Sequence, residues 1–294
     1  MRVGMLGLGR MGRPMATHLR NGGYEVVAYD VDETARAGAA QAGIDVADSP
    51  GGLAGVDLVC SSLPATEHVE DALFGDGDST TGLASLLAAG TVWADLSTIS
   101  IDGSRALAGR CEAIGVTFLD TPVSGTSIHA EAGTLVVMAG GPVEAFERAR
   151  PALATFATRV DRVGPNGAGL ELKLVTNRLL TTHLAAIAEA ILVLERTELS
   201  VDQAIELLRA GAVPRLLDYK AEPLTQRDYT PLFTVDLMRK DLRLAAEGLV
   251  ETPLATAAHE LVEAAAEAGH GDDDLAAIIA IIEARLRAER DTAG

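Results

Sequence analysis

Apolar positions along the chain follow two regimes that meet near residue 164. In the first, short apolar runs at residues 3–6, 24–29, 58–61, 92–95, 117–119, 135–139 and 159–163 read as strands. Longer stretches between several of them, such as 32–40, 104–114 and 143–153, place apolar residues at helical spacing. Alternation of this kind predicts an α/β fold with a doubly wound sheet. From Ser200 the strand signal disappears. Helical patterns then fit residues 201–210, 235–250, 256–268 and 275–288, with turns expected at 211–214, Pro223, Pro253 and 269–274. The second half is therefore expected to be all helical.

Residues 164–196 join the two regimes. Beyond Pro165 and Asn166, which suit a helix start, this stretch has no further proline, and its last glycine is Gly169. Leu170, Leu174, Ile187, Ile191 and Leu194 recur at helical spacing, and apolar residues cover most of the circumference, so burial along most of the helix is expected. A helix of roughly thirty residues spans about 45 Å, longer than a small domain is wide. The expected organisation is a domain over 1–163, a helical domain over 164–294, and an interdomain helix over 166–196. Lys173 and Asn177 stand one turn apart on this helix and share a face. The plain reading of Lys173 is a lysine that lays its stem on apolar neighbours and keeps its head in water.

The first strand runs directly into Gly7-Leu8-Gly9-Arg10-Met11-Gly12, and Met11, Met15 and Leu19 mark one face of the helix that follows. Such a loop permits a tight turn, close backbone approach to a pyrophosphate, and close packing of helix on strand. The second strand ends at Asp30, about twenty residues beyond the glycines, where a carboxylate binds the ribose hydroxyls of a dinucleotide. Its charge repels a 2′-phosphate, which favours NAD over NADP. The alternative role for Asp30 is to cap the next helix. The whole unit predicts a Rossmann-type sheet, and in such sheets ligands bind beyond the carboxyl ends of the strands.

Three further loops therefore carry weight: Ser62-Leu63-Pro64, then Asp95-Leu96-Ser97-Thr98, then Asp120 through Thr126. In the last, Ser124 offers a hydroxyl, while Gly125 and Thr126 can turn backbone N–H groups toward an anion such as a carboxylate. In the helical half, Met238-Arg239-Lys240-Asp241-Leu242 gathers positive charge, and Phe233 precedes it. Phe233 reads as a core residue by type and is also a candidate wall of the substrate pocket.

Net charge narrows the function classes. At −18 over 294 residues, the chain is unsuited to general binding of nucleic acid or anionic membrane, whereas a small anionic substrate needs only a local cluster of cations. Cys60 and Cys111 are the two cysteines and adjoin expected core segments, which fits a reduced, cytoplasmic setting. The six histidines are scattered, so no metal site is expected. No signal peptide is expected at the N-terminus, and the apolar run 179–194, which holds His183 and Glu189, is short for a membrane span.

Together, GLGRMGRPMA, SSLP, DLST, DTPVSGTSIHAEAGTL, GAGLELKLVTN, FTVDLMRKDLRLA and GHGDDDLAAII resemble the β-hydroxyacid dehydrogenase family nearly from end to end. The resemblance implies Lys173 as the catalytic residue and Asn177 as a group that positions substrate. It implies Ser124, Gly125 and Thr126 around the substrate carboxylate, and Leu63, Pro64, His68, Thr98 and Lys240 along the cofactor. The family loop usually has a second glycine where Thr126 stands, and its common members carry smaller residues than Ile128-His129.

The implied reaction takes a hydride from a hydroxymethyl carbon, beside a carboxylate-bearing centre, to the nicotinamide of NAD. Lys173 would accept the hydroxyl proton. A lysine whose pKa is ordinarily about 10.4 is a poor base at neutral pH, and burial together with oxidised nicotinamide would both disfavour its ammonium form. Two other readings are an imine reductase, whose kind usually lacks this lysine, and a dinucleotide-binding scaffold or sensor without turnover. The apolar helix and the alanine-rich second half further predict a homodimer or homotetramer.

Overall fold

The computed structural model describes residues 1–75, 82–210, 217–250 and 252–293. They form two compact units, Met1–Lys173 and Leu174–Gly294.

The first unit is built on a nine-stranded sheet. Its strands are β1 (Arg2–Leu6), β2 (Glu25–Tyr29), β3 (Asp45–Val46), β4 (Leu58–Ser61), β5 (Val92–Asp95), β6 (Thr117–Asp120), β7 (Val123–Ser124), β8 (Leu135–Gly140) and β9 (Ala157–Gly164). The order is β3-β2-β1-β4-β5-β6-β8-β7, with β9 also paired to β8. The first six strands are parallel; β8 runs antiparallel to β6 and β7 and parallel to β9. Helices α1 (Gly12–Asn21), α2 (Glu33–Gln41), α3 (Thr66–Phe74), α4 (Ile101–Glu112), α5 (Ser127–Glu131) and α6 (Val143–Leu153) lie between strands in the chain. All four residues of β4 and of β5 are buried, as expected for parallel strands covered on both faces. Met5, Met15, Leu19, Leu58, Leu135 and Phe156 belong to the core.

Sequence periodicity misses β3 and β7 because each is two residues long. α4 begins three residues before its expected start, since Ser100 Oγ caps the helix by accepting from Gly103 N at 2.9 Å.

The long helix is α7 (Ala168–Leu194). It is not buried along most of its length. Leu170, Leu174, Leu184, Ile187 and Ile191 form a buried stripe, while Leu172, Val175, Leu179 and Val193 are exposed. By length and composition the helix could cross a membrane, yet the buried residues of its second part, such as Leu184, Ile187 and Ile191, belong to the core of the second unit.

The second unit continues with α8 (Val201–Ala210), α9 (Leu217–Gln226), α10 (Val235–Gly248), α11 (Pro253–Ala265) and α12 (Ile278–Ala293). Its core includes Leu184, Ile191, Met238, Leu242, Val262 and Ile279. Pro223, expected in a turn, lies inside α9 near its C-terminal end. Pro253 likewise starts a helix, at a position where a missing N–H costs no intrahelical bond. The helix expected over 256–268 widens into a π turn over Ala266–His270, where Gly269 adopts φ 94°. The turn expected over 211–214 lies outside the described residues.

Candidate active site

Five parallel strands of the first unit end in one row. Leu6 is in register with Tyr29 on one side and Ser61 on the other; Ser61 pairs with Asp95, and Asp95 with Asp120. The glycine loop, Asp30, Ser62–Pro64, Leu96–Thr98 and the segment from Thr121 to Thr126 all follow this row. β1 lies between β2 and β4, so chain direction across the sheet reverses beside the glycine loop, the place where such sheets bind dinucleotides.

The three glycines have different reasons to be glycine. A Cβ on Gly7, which has φ 91°, would strike the carbonyl of Ser62, and one on Gly12 would strike the carbonyl of Gly7. A Cβ on Gly9 would meet nothing within 4 Å. The first and third therefore serve the packing of the protein itself, while the second leaves open space for a ligand phosphate to approach the backbone. Asp30 accepts from Leu8 N at 2.6 Å through one oxygen and from Asp32 N at 2.8 Å through the other. It does not cap α2; Asp32 does, accepting from Thr34 N at 2.8 Å. An ionised carboxylate has about four lone-pair positions, so Asp30 can also accept from ribose hydroxyls. Gly7, Leu8, Gly9, Arg10, Met11, Gly12 and Asp30 thus fit a bound NAD. Bound there, NAD supplies a hydride acceptor.

A buried network holds the next two loops. Asp95 Oδ1 accepts from Ser61 Oγ at 2.7 Å and from Ser97 Oγ at 2.6 Å. Ser61 Oγ accepts in turn from Trp93 Nε1 at 2.7 Å, and Ser97 Oγ from Leu63 N at 2.9 Å. Each hydroxyl therefore has one donor and one acceptor direction fixed. Leu63 and Thr98 are half-buried, whereas Pro64 and His68 are exposed, His68 lying 3.9 Å from Glu67.

Ser124 ends β7, and Gly125 and Thr126 link it to α5; all three are half-buried, with Gly125 at φ 131°. The backbone N–H of Thr126, expected to turn toward an anion, donates instead to Nδ1 of His129 at 3.1 Å.

The start of α7 is fastened to the end of β6. Asp120, 1% exposed, accepts from Gly167 N at 2.8 Å through one oxygen and from Leu170 N at 3.2 Å through the other. Burial raises its pKa to about 6, against the lowering effect of these backbone N–H groups. A Cβ on Gly169 would meet the Met138 carbonyl and the Asp120 carboxylate, so the helix approaches the sheet as closely as it does only with glycine there. Lys173 lies one turn beyond this clamp and is 7% exposed, so nearly all of its side chain is covered by protein.

In the second unit, Asn177 is buried and its Nδ2 donates to Asp241 Oδ2 at 2.6 Å. Lys240 Nζ lies 3.1 Å from the other oxygen of Asp241 as an ion pair. Asn177, Lys240 and Asp241 thus form one polar cluster. Asp241 joins them as a third member, and its sequence position carries a signal. It falls among Val235, Met238, Leu242 and Ala245 on the buried face of α10, where an aspartate has no reason to be unless it is paired. Phe233 is half-buried against the core, and its N–H donates to Asp274 Oδ2 at 3.2 Å. Asp274 also accepts from Leu232 N at 2.9 Å and forms a buried ion pair with Lys220. Sequence pattern does not show this pair, because Lys220 sits in α9, a helix that Pro223 conceals.

Among the described residues no group of His, Cys, Asp or Glu could hold a metal ion. Cys60 and Cys111 are free, and burial pushes both thiols up to about 12, so neither is poised as a nucleophile.

Comparison with known proteins agrees with this geometry. Residues 2–164 match the family described as the NAD binding domain of 6-phosphogluconate dehydrogenase. Residues 167–282 match that described as NAD-binding of NADP-dependent 3-hydroxyisobutyrate dehydrogenase. The chain is 35% identical to 3-hydroxyisobutyrate dehydrogenase of Pseudomonas aeruginosa, over 94% of this chain and 96% of the relative. It is 34% identical to the NAD-dependent L-serine dehydrogenase of the same organism, again over 94% and 96%. A crystal structure of 3-hydroxyisobutyrate dehydrogenase from Salmonella typhimurium superposes with a TM-score of 0.85 at 30% identity, covering 96% of this chain and 99% of that one.

Proposed function

The chain belongs to the β-hydroxyacid dehydrogenase family and is an NAD-dependent dehydrogenase, and from that premise we propose a particular reaction and site. It interconverts a small β-hydroxy acid and its semialdehyde, with Lys173 as general acid/base. The observation that carries this reading is the placement of Lys173, buried on α7 and held one turn from the Asp120 clamp at the row of strand ends. Substrates named for the two relatives, 3-hydroxyisobutyrate and L-serine, share a hydroxymethyl group on the carbon that bears the carboxylate. The same unit is the substrate class proposed here.

Lys173 Nζ takes the proton from the substrate hydroxyl in oxidation and returns it in reduction. Asn177, whose amide is oriented by Asp241, positions the same end of the substrate, and Phe233 lines its pocket. The Ser124 hydroxyl and the backbone at Gly125 and Thr126 hold the carboxylate. Leu63, Pro64, His68, Thr98 and Lys240 line the cofactor, and Asp30 selects NAD over NADP by accepting from the ribose hydroxyls. The assembly is a homodimer or homotetramer. Its free thiols suit the cytoplasm.

The test is a panel of short β-hydroxy acids assayed for reduction of NAD and of NADP, with semialdehydes and glyoxylate assayed in reverse. Turnover of at least one acid bearing a hydroxymethyl group, with higher kcat/KM for NAD than for NADP, is the expected result. Turnover of none of them, or equal use of NADP, overturns the substrate class or the role of Asp30 respectively.

A further inference from the structure

The loop that follows β7 is closed on itself by a histidine. Thr126 N donates to His129 Nδ1 at 3.1 Å, and Thr126 Oγ1 lies 3.0 Å from the same nitrogen. His129 is the third residue of α5, the position from which a glutamate or glutamine side chain reaches back to the residue that precedes a helix. The side chain also covers the neighbouring backbone, since a Cβ on Gly125 would meet His129 Cβ at 2.9 Å and the ring carbon Cγ at 3.3 Å. A ring nitrogen that accepts from an N–H carries no proton, so the proton of the neutral imidazole sits on Nε2. This assignment follows from the bond itself.

We infer that His129 is a specificity-determining residue that sets the affinity of this loop for carboxylates by acting as an internal competitor for the Thr126 N–H. The inference rests on the proposal that Ser124, Gly125 and Thr126 hold the substrate carboxylate. A carboxylate that uses the Thr126 N–H must first displace the imidazole. Its apparent affinity is then its intrinsic affinity reduced by the fraction of molecules in which the loop is open. A carboxylate can win this exchange, because a charged acceptor makes a stronger hydrogen bond than a neutral ring nitrogen. The competition acts before chemistry, so it raises KM and leaves kcat alone.

Side chains at position 129 grade this effect. His129→Ala removes the competitor and is expected to lower KM for the accepted acid by about 3–10-fold, with kcat unchanged within about twofold. His129→Gln keeps a neutral acceptor that can reach the Thr126 N–H and is expected to restore a KM close to that of the unaltered protein. His129→Glu supplies a charged acceptor that also repels the substrate carboxylate, and is expected to raise KM above it. A purely structural cap predicts the opposite order for alanine: a loosened loop, a higher KM and a lower kcat. That result would overturn the inference.

Amide NMR of the unaltered protein separates this failure from failure of the underlying reading. Titration with 3-hydroxyisobutyrate or L-serine, whichever is turned over, is expected to shift the Thr126 amide and the His129 ring signals together. A shift of Thr126 combined with a raised KM in His129→Ala removes the competitor role and leaves the carboxylate loop standing. Turnover with no response at Thr126 removes the loop from the substrate site, and the inference with it.

Discussion

Taking an ammonium group out of water costs several kcal/mol unless its partners compensate, and so a lysine that is 7% exposed needs a reason. For Lys173 the proposed reason is proton transfer, which Lys173→Ala tests directly. Its kcat is expected to fall by roughly 10²–10⁴-fold, while NAD titration still shows binding, because Asp30 and the glycine loop are untouched. Lys173→Arg keeps a cation that cannot usefully release a proton and is expected to be almost as slow. An arginine variant with near-normal turnover would assign the position to charge or hydrogen bonding instead. Asp120 gives a second prediction, in pH. Its folded-state pKa of about 6 exceeds the unfolded value of about 3.9, so the folded protein holds this proton more tightly. Its contribution to stability is fully present below pH of about 4 and is lost as pH rises through about 6. The loss is on the order of 3 kcal/mol. Thermal melts of the unaltered protein and of Asp120→Asn across that window should differ in slope, and parallel curves would contradict the shift. The variant should also be less stable at neutral pH, because an amide oxygen cannot replace both carboxylate oxygens facing Gly167 and Leu170.

At the scale of elements, α7 carries the clearest consequence. Leu172, Val175, Leu179 and Val193 stand at helical spacing on its exposed side, a stripe that two copies of the chain could share. Light scattering is expected to give a dimer or tetramer, and Leu179→Glu to shift it toward monomer without loss of helical signal. A stable monomer of the unaltered chain at micromolar concentration would refute the assembly. This stripe also marks a limit of sequence reading: composition gave a helix apolar on most sides, and apolarity alone does not say which side the chain itself covers. Elsewhere periodicity read well. β4, β5, α6 and α8 have the bounds expected from the sequence. α9 stayed hidden because Pro223 reads as a breaker, although proline near a helix end can be accommodated. Within the site, Asp30 and the glycine loop were legible because their chemistry is local in sequence. Asn177 with Asp241 was not, since the pair is made by packing α10 on α7 across 64 positions of chain.

Across the whole molecule, the division at Lys173 and Leu174 separates the glycine loop and Asp30 from the helical unit that holds Asn177, Lys240 and Asp241. The chain's one tryptophan falls on the NAD side of this division. Trp93 is fully buried, and its indole N–H is tied to the Ser61 hydroxyl, which lies one hydrogen bond from Asp95 and three from the backbone N–H of Leu63. The molecule is therefore optically labelled in one half. Tryptophan emission reports the sheet, while far-UV ellipticity also draws on the helices of the other half. Heated with and without NAD, the emission midpoint should rise further than the ellipticity midpoint, since a ligand stabilises the part that binds it. Equal rises would mean that the two halves melt as one cooperative body, and that the helix shared between them transmits the added stability without loss.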